Sequence, residues 1–185
     1  MTMVKSICKF CGIVLLASAF VLYPSCDDPY EGVDYSKLIA GEKELREEYI
    51  ELVLKDSAFA TSDRMIDKRE DEGWIGFILE KGLSQDTVLP GRTVGIRYNY
   101  YYVVRDSVDN PATSLRYTNY SVGSPATYRV GSWTINDTDI FRGVDLAIRH
   151  MCLYGKSFII MPYDLGDNNY YPVVAEIEVV YMELD

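Results

Sequence analysis

The chain has 185 residues, room for one or two small domains, and its 48% hydrophobic and 25% charged residues are the balance of a globular protein. Its 16 Tyr and 2 Trp exclude an intrinsically disordered chain, whose composition is poor in aromatics. All 28 acidic residues follow Cys26 while Lys5 and Lys9 precede it, so the remainder carries 16 basic against 28 acidic residues; such a surface excludes nucleic acid as a partner and has no electrostatic attraction to anionic lipid.

Residues 1–25 read as an address. Lys5 and Lys9 supply positive charge, and Ile13 to Leu22 is an apolar run broken only by Ser18. That run suits a signal-peptide core and is too short for a spanning helix, which needs ~20 apolar residues. Tyr23-Pro24-Ser25-Cys26 then resembles a lipobox, with a small residue directly before the cysteine. The resemblance implies cleavage that leaves Cys26 as an acylated first residue, tying the chain to a lipid bilayer. The usual Leu three positions before the cysteine is Tyr23 here, with Leu22 one place further back. The other reading is ordinary secretion with Cys26 as a free thiol. Asp27-Asp28 resembles the surface-export signals of a Gram-negative phylum rich in lipoproteins, and suits an ordinary polar spacer equally well. The expected location is the cell envelope of a Gram-negative bacterium, lipid-anchored at the outer membrane, with the face left open.

Cys8 and Cys11 form a Cys-x-x-Cys within the removed segment and are not read as a redox motif. Cys26 and Cys152 then remain, and acylation of Cys26 excludes an intramolecular disulfide. Cys152 follows an apolar helical pattern and reads as a small buried hydrophobe.

Pro29 to Asp34 form a short tether. Ser36 to Leu54 is predicted helical, with Leu38, Leu45, Tyr49, Leu52 and Val53 on one face. Gly41 inside it costs about 1 kcal/mol against Ala and marks a frayed first turn. Residues 55–72 are polar and read as a connector. Trp74 to Leu79 is a strand, Gly82 and Leu89-Pro90-Gly91 are turns, and Val94 to Val104 is a long strand carrying Tyr98, Tyr100, Tyr101 and Tyr102. Asp106 to Ser114 reads as a loop and Thr127 to Val130 as a short strand. Arg142 to Met151 reads as a helix with Val144, Ala147, Ile148 and Met151 on its apolar face. Ser157 to Met161 and Val173 to Leu184 are the last strands. The pattern predicts an α+β fold, a curved antiparallel sheet with one short helix packed on it and a helix ahead of it. Three segments follow: signal peptide 1–25, tether and helix 26–72, and domain 73–185.

The order of these elements resembles the FK506-binding-protein (FKBP) type of peptidyl-prolyl isomerase, over residues 74–184. Gly91-Arg92-Thr93-Val94-Gly95-Ile96-Arg97-Tyr98 is similar to the family's G-x-x-V-x-V-x-Y strand, and Ile140-Phe141-Arg142-Gly143-Val144 to its V-I-x-G-W/L turn. Met151, Gly155-Lys156 and Ile159-Ile160-Met161-Pro162 resemble M-x-x-G-G-K-x-x-x-x-I-P. Ala175-Glu176-Ile177-Glu178-Val179 resembles the closing strand. The leading helix followed by such a domain also resembles a family of uncharacterised lipoproteins from the same phylum.

The resemblance implies a candidate pocket of Tyr98, Tyr117, Ile140, Phe141, Val144 and Ile177. Tyr98 would be the pocket tyrosine. Ile140 and Phe141 would meet the ligand, Ile177 would stand at a floor aromatic, and Val144 would stand where the base is commonly Trp or Leu. Tyr117 would replace the Phe of the family's Phe-Asp pair, with Thr118 or Asn119 in place of Asp. After Pro162 the family's A-Y-G is replaced by Tyr163-Asp164-Leu165-Gly166, so its donor tyrosine is missing or moved to Tyr170. The implied ligands are proline-containing polypeptides. The implied chemistry lowers a rotation barrier of ~18–20 kcal/mol by favouring a twisted amide in an apolar site, with no covalent intermediate and no cofactor. Loss of one donor aimed at the transition state costs ~3 kcal/mol. These departures lead to the expectation of weak or absent isomerase activity. Two classes stay open: an isomerase or folding helper for exported proteins, and a non-catalytic binding module or subunit of a surface assembly. An open cleft favours the first and a filled one the second.

The aromatic strand Tyr98 to Tyr102 reads either as a peptide- or glycan-binding face or as core. His150 reads as a surface or structural residue. Asp164, Asp167, Asn168 and Asn169 lack calcium-loop spacing and read as a solvated turn, so no metal is expected. Three Asp-Ser/Thr-apolar triplets make Ser57, Thr87 and Ser107 candidate O-glycosylation positions by resemblance to that phylum's signal.

Overall fold

The β-branched and aromatic runs form an antiparallel sheet of seven strands. The computed structural model of the chain describes residues 32–56, 59, 63–83, 86–133 and 140–183. Residues 1–25, read as a signal peptide, and the candidate positions Cys26 and Ser57 lie outside them. The strands are β1 (Met65–Lys68), β2 (Trp74–Glu80), β3 (Thr93–Arg105), β4 (Pro111–Thr118), β5 (Ala126–Arg129), β6 (Lys156–Met161) and β7 (Val173–Met182). They lie in the order β1-β2-β6-β7-β3-β4, and β5 pairs with the start of β3. Helix α1 is Tyr35–Leu54 and helix α2 is Arg142–Ala147, continued by a 3₁₀ turn over Ile148–His150. This is the expected α+β architecture.

Two strands lie where the sequence reads as connector and loop. β1, within 55–72, is a four-residue edge strand with Asp67 and Lys68, and charge on an edge discourages pairing with other chains. β4 begins at Pro111, inside the span read as loop. Proline is tolerated at the first residue of an edge strand because no ladder N–H is needed there. The turn between β3 and β4 is held by Asp106, whose Oδ1 accepts the Val108 and Asn110 N–H groups at 2.9 Å each.

Alternation along the strands separates two cores. One face of the sheet carries Ile96, Tyr98, Tyr100, Ile159, Ala175 and Ile177 and packs against Val144, Ala147 and Ile148 of the α2 segment. The opposite face carries Ile75, Phe77, Val103, Ile160 and Val174 and is covered by Ile50 and Val53 of α1. Of the face expected on α1, Leu45, Tyr49 and Val53 pack on the sheet, and the rest of the face differs. Leu38 and Leu52 are exposed, and Ile50, Val53 and Glu42 are buried. Helix α1 also continues unbroken through Gly41. Arg105 of β3 pairs bidentately with Glu48 of α1 at 2.9 and 3.0 Å on the exposed side of the contact.

Among the described residues no helix is long and apolar enough to cross a membrane. Cys152 is half-buried in an isolated bridge to Thr87, not in the core. Burial raises its thiol pKa and the nearby Asp86 raises it further, which makes it a poor nucleophile.

Candidate functional site

β3 and β7 set Tyr98 directly opposite Ile177, so both side chains leave the sheet on the α2 face. Ile140 and Phe141 lead into α2, and Val144 lies one turn inside it. Gly143 allows this approach, because a Cβ there would lie 2.5 Å from the Met161 sulfur. The fold therefore brings Tyr98, Ile140, Phe141, Val144 and Ile177 into one cluster, as the motifs imply, with Tyr117 half-buried against it.

The cluster is closed. Those five residues are at most 3% exposed. The residue that closes it is Tyr100, itself 1% exposed. Its ring stacks on Tyr98 with centroids 4.1 Å apart and on Phe141 at 4.4 Å. Tyr117 meets Phe141 edge-on at 6.4 Å. Val144 is fully buried, so its small side chain leaves no solvent-filled floor.

The polar positions are committed to structure. Asn119 is buried, and its carboxamide brackets the β3 backbone: Oδ1 accepts the Tyr98 N–H at 2.8 Å and Nδ2 donates to the Ile96 carbonyl at 2.9 Å. The Arg97 guanidinium donates to four carbonyls of the 119–124 loop, the shortest at 2.6 Å. Asp145 of α2 is wholly buried, accepting from the Gly131 N–H and Arg149 at 2.7 Å each. Tyr170 does not enter the cluster. Its ring contacts are with Tyr163 at 4.8 Å and Tyr35 of α1 at 5.7 Å. The ring of His150 lies 5.6 Å from Trp74, and partial desolvation lowers its pKa, with Lys68 adding to the effect.

A second aromatic group borders the cluster. The Arg116 guanidinium lies 4.9 Å from the Tyr117 ring and 5.6 Å from the Tyr102 ring. Tyr102 donates its hydroxyl proton to Asp167, accepts from Asn169 at 2.9 Å and stacks on Tyr171 at 5.0 Å. Burial, with the Asp167 carboxylate beside it, pushes the Tyr102 phenol up to about 12. Thr87 and Ser107 lie on exposed segments. Among the described residues no group of three or more His, Cys, Asp or Glu could hold a metal ion.

Tyr100 is the buried member of the cluster that motif matching misses. Its signal is the period of two along β3, which puts Tyr98 and Tyr100 on the same face.

No protein-family model matches the sequence, and no curated protein matches it. Among solved structures the chain is similar to FkpA from Escherichia coli, at 16% identity and a TM-score of 0.56, over 80% of this chain and 62% of that one, so it spans less than two thirds of FkpA. It is similar to a DUF4827 family protein from Parabacteroides distasonis at 18% identity and a TM-score of 0.55, over 80% of this chain and 98% of that one. It is also similar to a peptidyl-prolyl cis-trans isomerase from Pseudomonas syringae at 13% identity and a TM-score of 0.50, over 83% and 98% of the two chains. At these identities the likeness is one of fold.

Proposed function

We propose that this chain, an FKBP-like domain behind an N-terminal helix, is a lipid-anchored binding module of the cell envelope in which isomerase activity is weak or absent. The observation that carries this reading is the ring of Tyr100, buried and stacked between Tyr98 and Phe141 within the implied pocket. Catalysis by this fold requires a desolvated apolar site that admits the substrate and holds its twisted amide. Here the apolar surface is already spent on the protein's own side chains, and Tyr170, the candidate for the donor tyrosine, packs against Tyr163 and Tyr35 instead of the described cluster. Of the two residues at the place of the expected Asp, Thr118 donates to the Asn99 side chain at 2.6 Å and Asn119 bonds the β3 backbone through both its oxygen and its nitrogen.

The second reading is an isomerase or folding helper for exported proteins. The fold likeness to the Pseudomonas syringae isomerase favours it. It requires Tyr100 to swing out of a stacked, fully buried position.

A proline-peptide isomerisation assay on the purified chain separates the two. The expected rate is indistinguishable from the uncatalysed one, and turnover comparable to an active isomerase overturns the binding-module reading. Anchoring is tested separately, by metabolic labelling with a fatty-acid probe. Label on the wild type and none on Cys26→Ser is expected; an unlabelled wild type removes the lipid anchor from the proposal.

A further inference from the structure

One stripe of side chains runs the length of α1, and the sheet covers only part of it. Tyr35, Leu38, Glu42, Leu45, Tyr49 and Val53 recur at spacings of three and four, which places them on one face of the helix. From Leu45 onward the stripe packs into the core on that side of the sheet. Glu42, its polar member, is buried and accepts from Arg46 at 2.9 and 3.1 Å. The first turn lacks that cover. Tyr35 is 47% exposed, and Leu38 and its neighbour Ile39 are 42% exposed each. The stripe therefore outruns the core it belongs to.

Exposed Tyr171, from the loop that leads into β7, shares a shallow, mainly apolar concavity with Leu38. Its ring is braced on Tyr102 at 5.0 Å. Tyr35, Leu38, Ile39 and Tyr171 thus form a patch, not scattered single exposures. The course of the chain selects what covers it. This turn opens the folded unit Tyr35–Asp185, and Cys26, the proposed point of acylation, lies nine positions before Tyr35. Nine residues span at most about 30 Å, so an anchored chain holds the bare turn within that distance of the bilayer. At such a high effective concentration even a weak contact is populated. Tyrosine also suits the membrane interface, with its ring among apolar groups and its hydroxyl at the headgroups.

We propose that the first turn of α1, with Tyr171 beside it, seats on the lipid surface to which the chain is tethered; this rests on the reading of Cys26 as a lipid anchor. The contact is apolar and shallow, as for a helix end lying in the interface. The chain's formal charge of −10 gives no attraction to anionic headgroups, so a zwitterionic phosphatidylcholine surface suffices. Seating this turn fixes how the anchored domain stands on the membrane, with α1 as the supporting element.

The test uses the full chain made in a Gram-negative host, purified in detergent and reconstituted into phosphatidylcholine vesicles with brominated acyl chains, which quench a tryptophan that reaches them. A reporter is placed by Leu38→Trp or, as the control, by Leu52→Trp at the other, comparably exposed end of α1. The signal of Trp74 and Trp133 is subtracted with the wild type. Quenching at position 38 and none at position 52 is expected, and it should persist in about 1 M salt, which screens charge attraction. Adding Tyr35→Ser and Ile39→Ser together is expected to abolish it without changing the unfolding midpoint. Intact mass of the same sample reads the anchor separately. An unacylated Cys26 removes the anchor and the proposal with it, whereas an acylated chain with equal quenching, or none, at the two positions overturns the proposal alone. A dimer in light scattering that the two serine substitutions dissociate, with no lipid quenching, assigns the turn to a second copy and also overturns it.

Discussion

Tyr100 is buried in the core between the sheet and α2. Stacked between two aromatic neighbours and shielded from water, its ring gains both apolar burial and ring–ring contact. Tyr100→Ala is expected to lower the unfolding free energy by about 3–5 kcal/mol, measured by urea denaturation, as for other buried aromatics. A loss below ~1 kcal/mol would show that the ring is not an integral part of the core. Tyr102 differs in being tied to a carboxylate. Burial and Asp167 both favour its neutral form, so its pKa in the fold is raised from the ordinary 10 to about 12. A raised pKa contributes stability that is present below pH 10 and lost as the pH climbs through about 12. Alkaline absorbance titration of the wild type against Tyr102→Phe should reveal one phenol that ionises near the upper value; identical curves would refute the assignment. At this scale the motifs located Tyr98, Phe141 and Ile177 because each occupies a spaced position. They could not show that the intervening space is full, because that depends on volumes contributed from three different elements.

Helix α2 is short, and its hold on the sheet depends on close approach more than on length. Alanine has the higher helix propensity, yet Gly143→Ala would set a Cβ 2.5 Å from the Met161 sulfur and 3.3 Å from Leu165 Cβ. The expected outcome is a net destabilisation of about 1–3 kcal/mol by thermal unfolding, because overpacking outweighs propensity. A stabilised variant would show that α2 can shift freely. The apolar face of this segment was legible in the spacing of Val144, Ala147, Ile148 and Met151, all of them buried. β1 and β4 were not legible. Both are edge strands whose polar or half-exposed side chains carry little periodic signal, and only the pairing with β2 and β3 defines them.

The sheet of the Tyr35–Asp185 unit has helices on both faces, and the second cover is α1. Removing residues 35–54 would uncover Ile75, Phe77, Val103, Ile160 and Val174, each buried in the intact chain. The truncated protein is expected to bind a hydrophobic dye and to aggregate. A monomeric truncation with unchanged unfolding behaviour would show that α1 is dispensable. Local period and motif spacing were enough to read the α+β class, the long tyrosine-bearing strand, the short helix and the residues of the cluster. Packing between distant segments set which face α1 covers, the bonds of Asn119 to the backbone and the burial of Tyr100. Those outcomes depend on distances between segments far apart in the chain, and strand and helix periodicity carry no record of them.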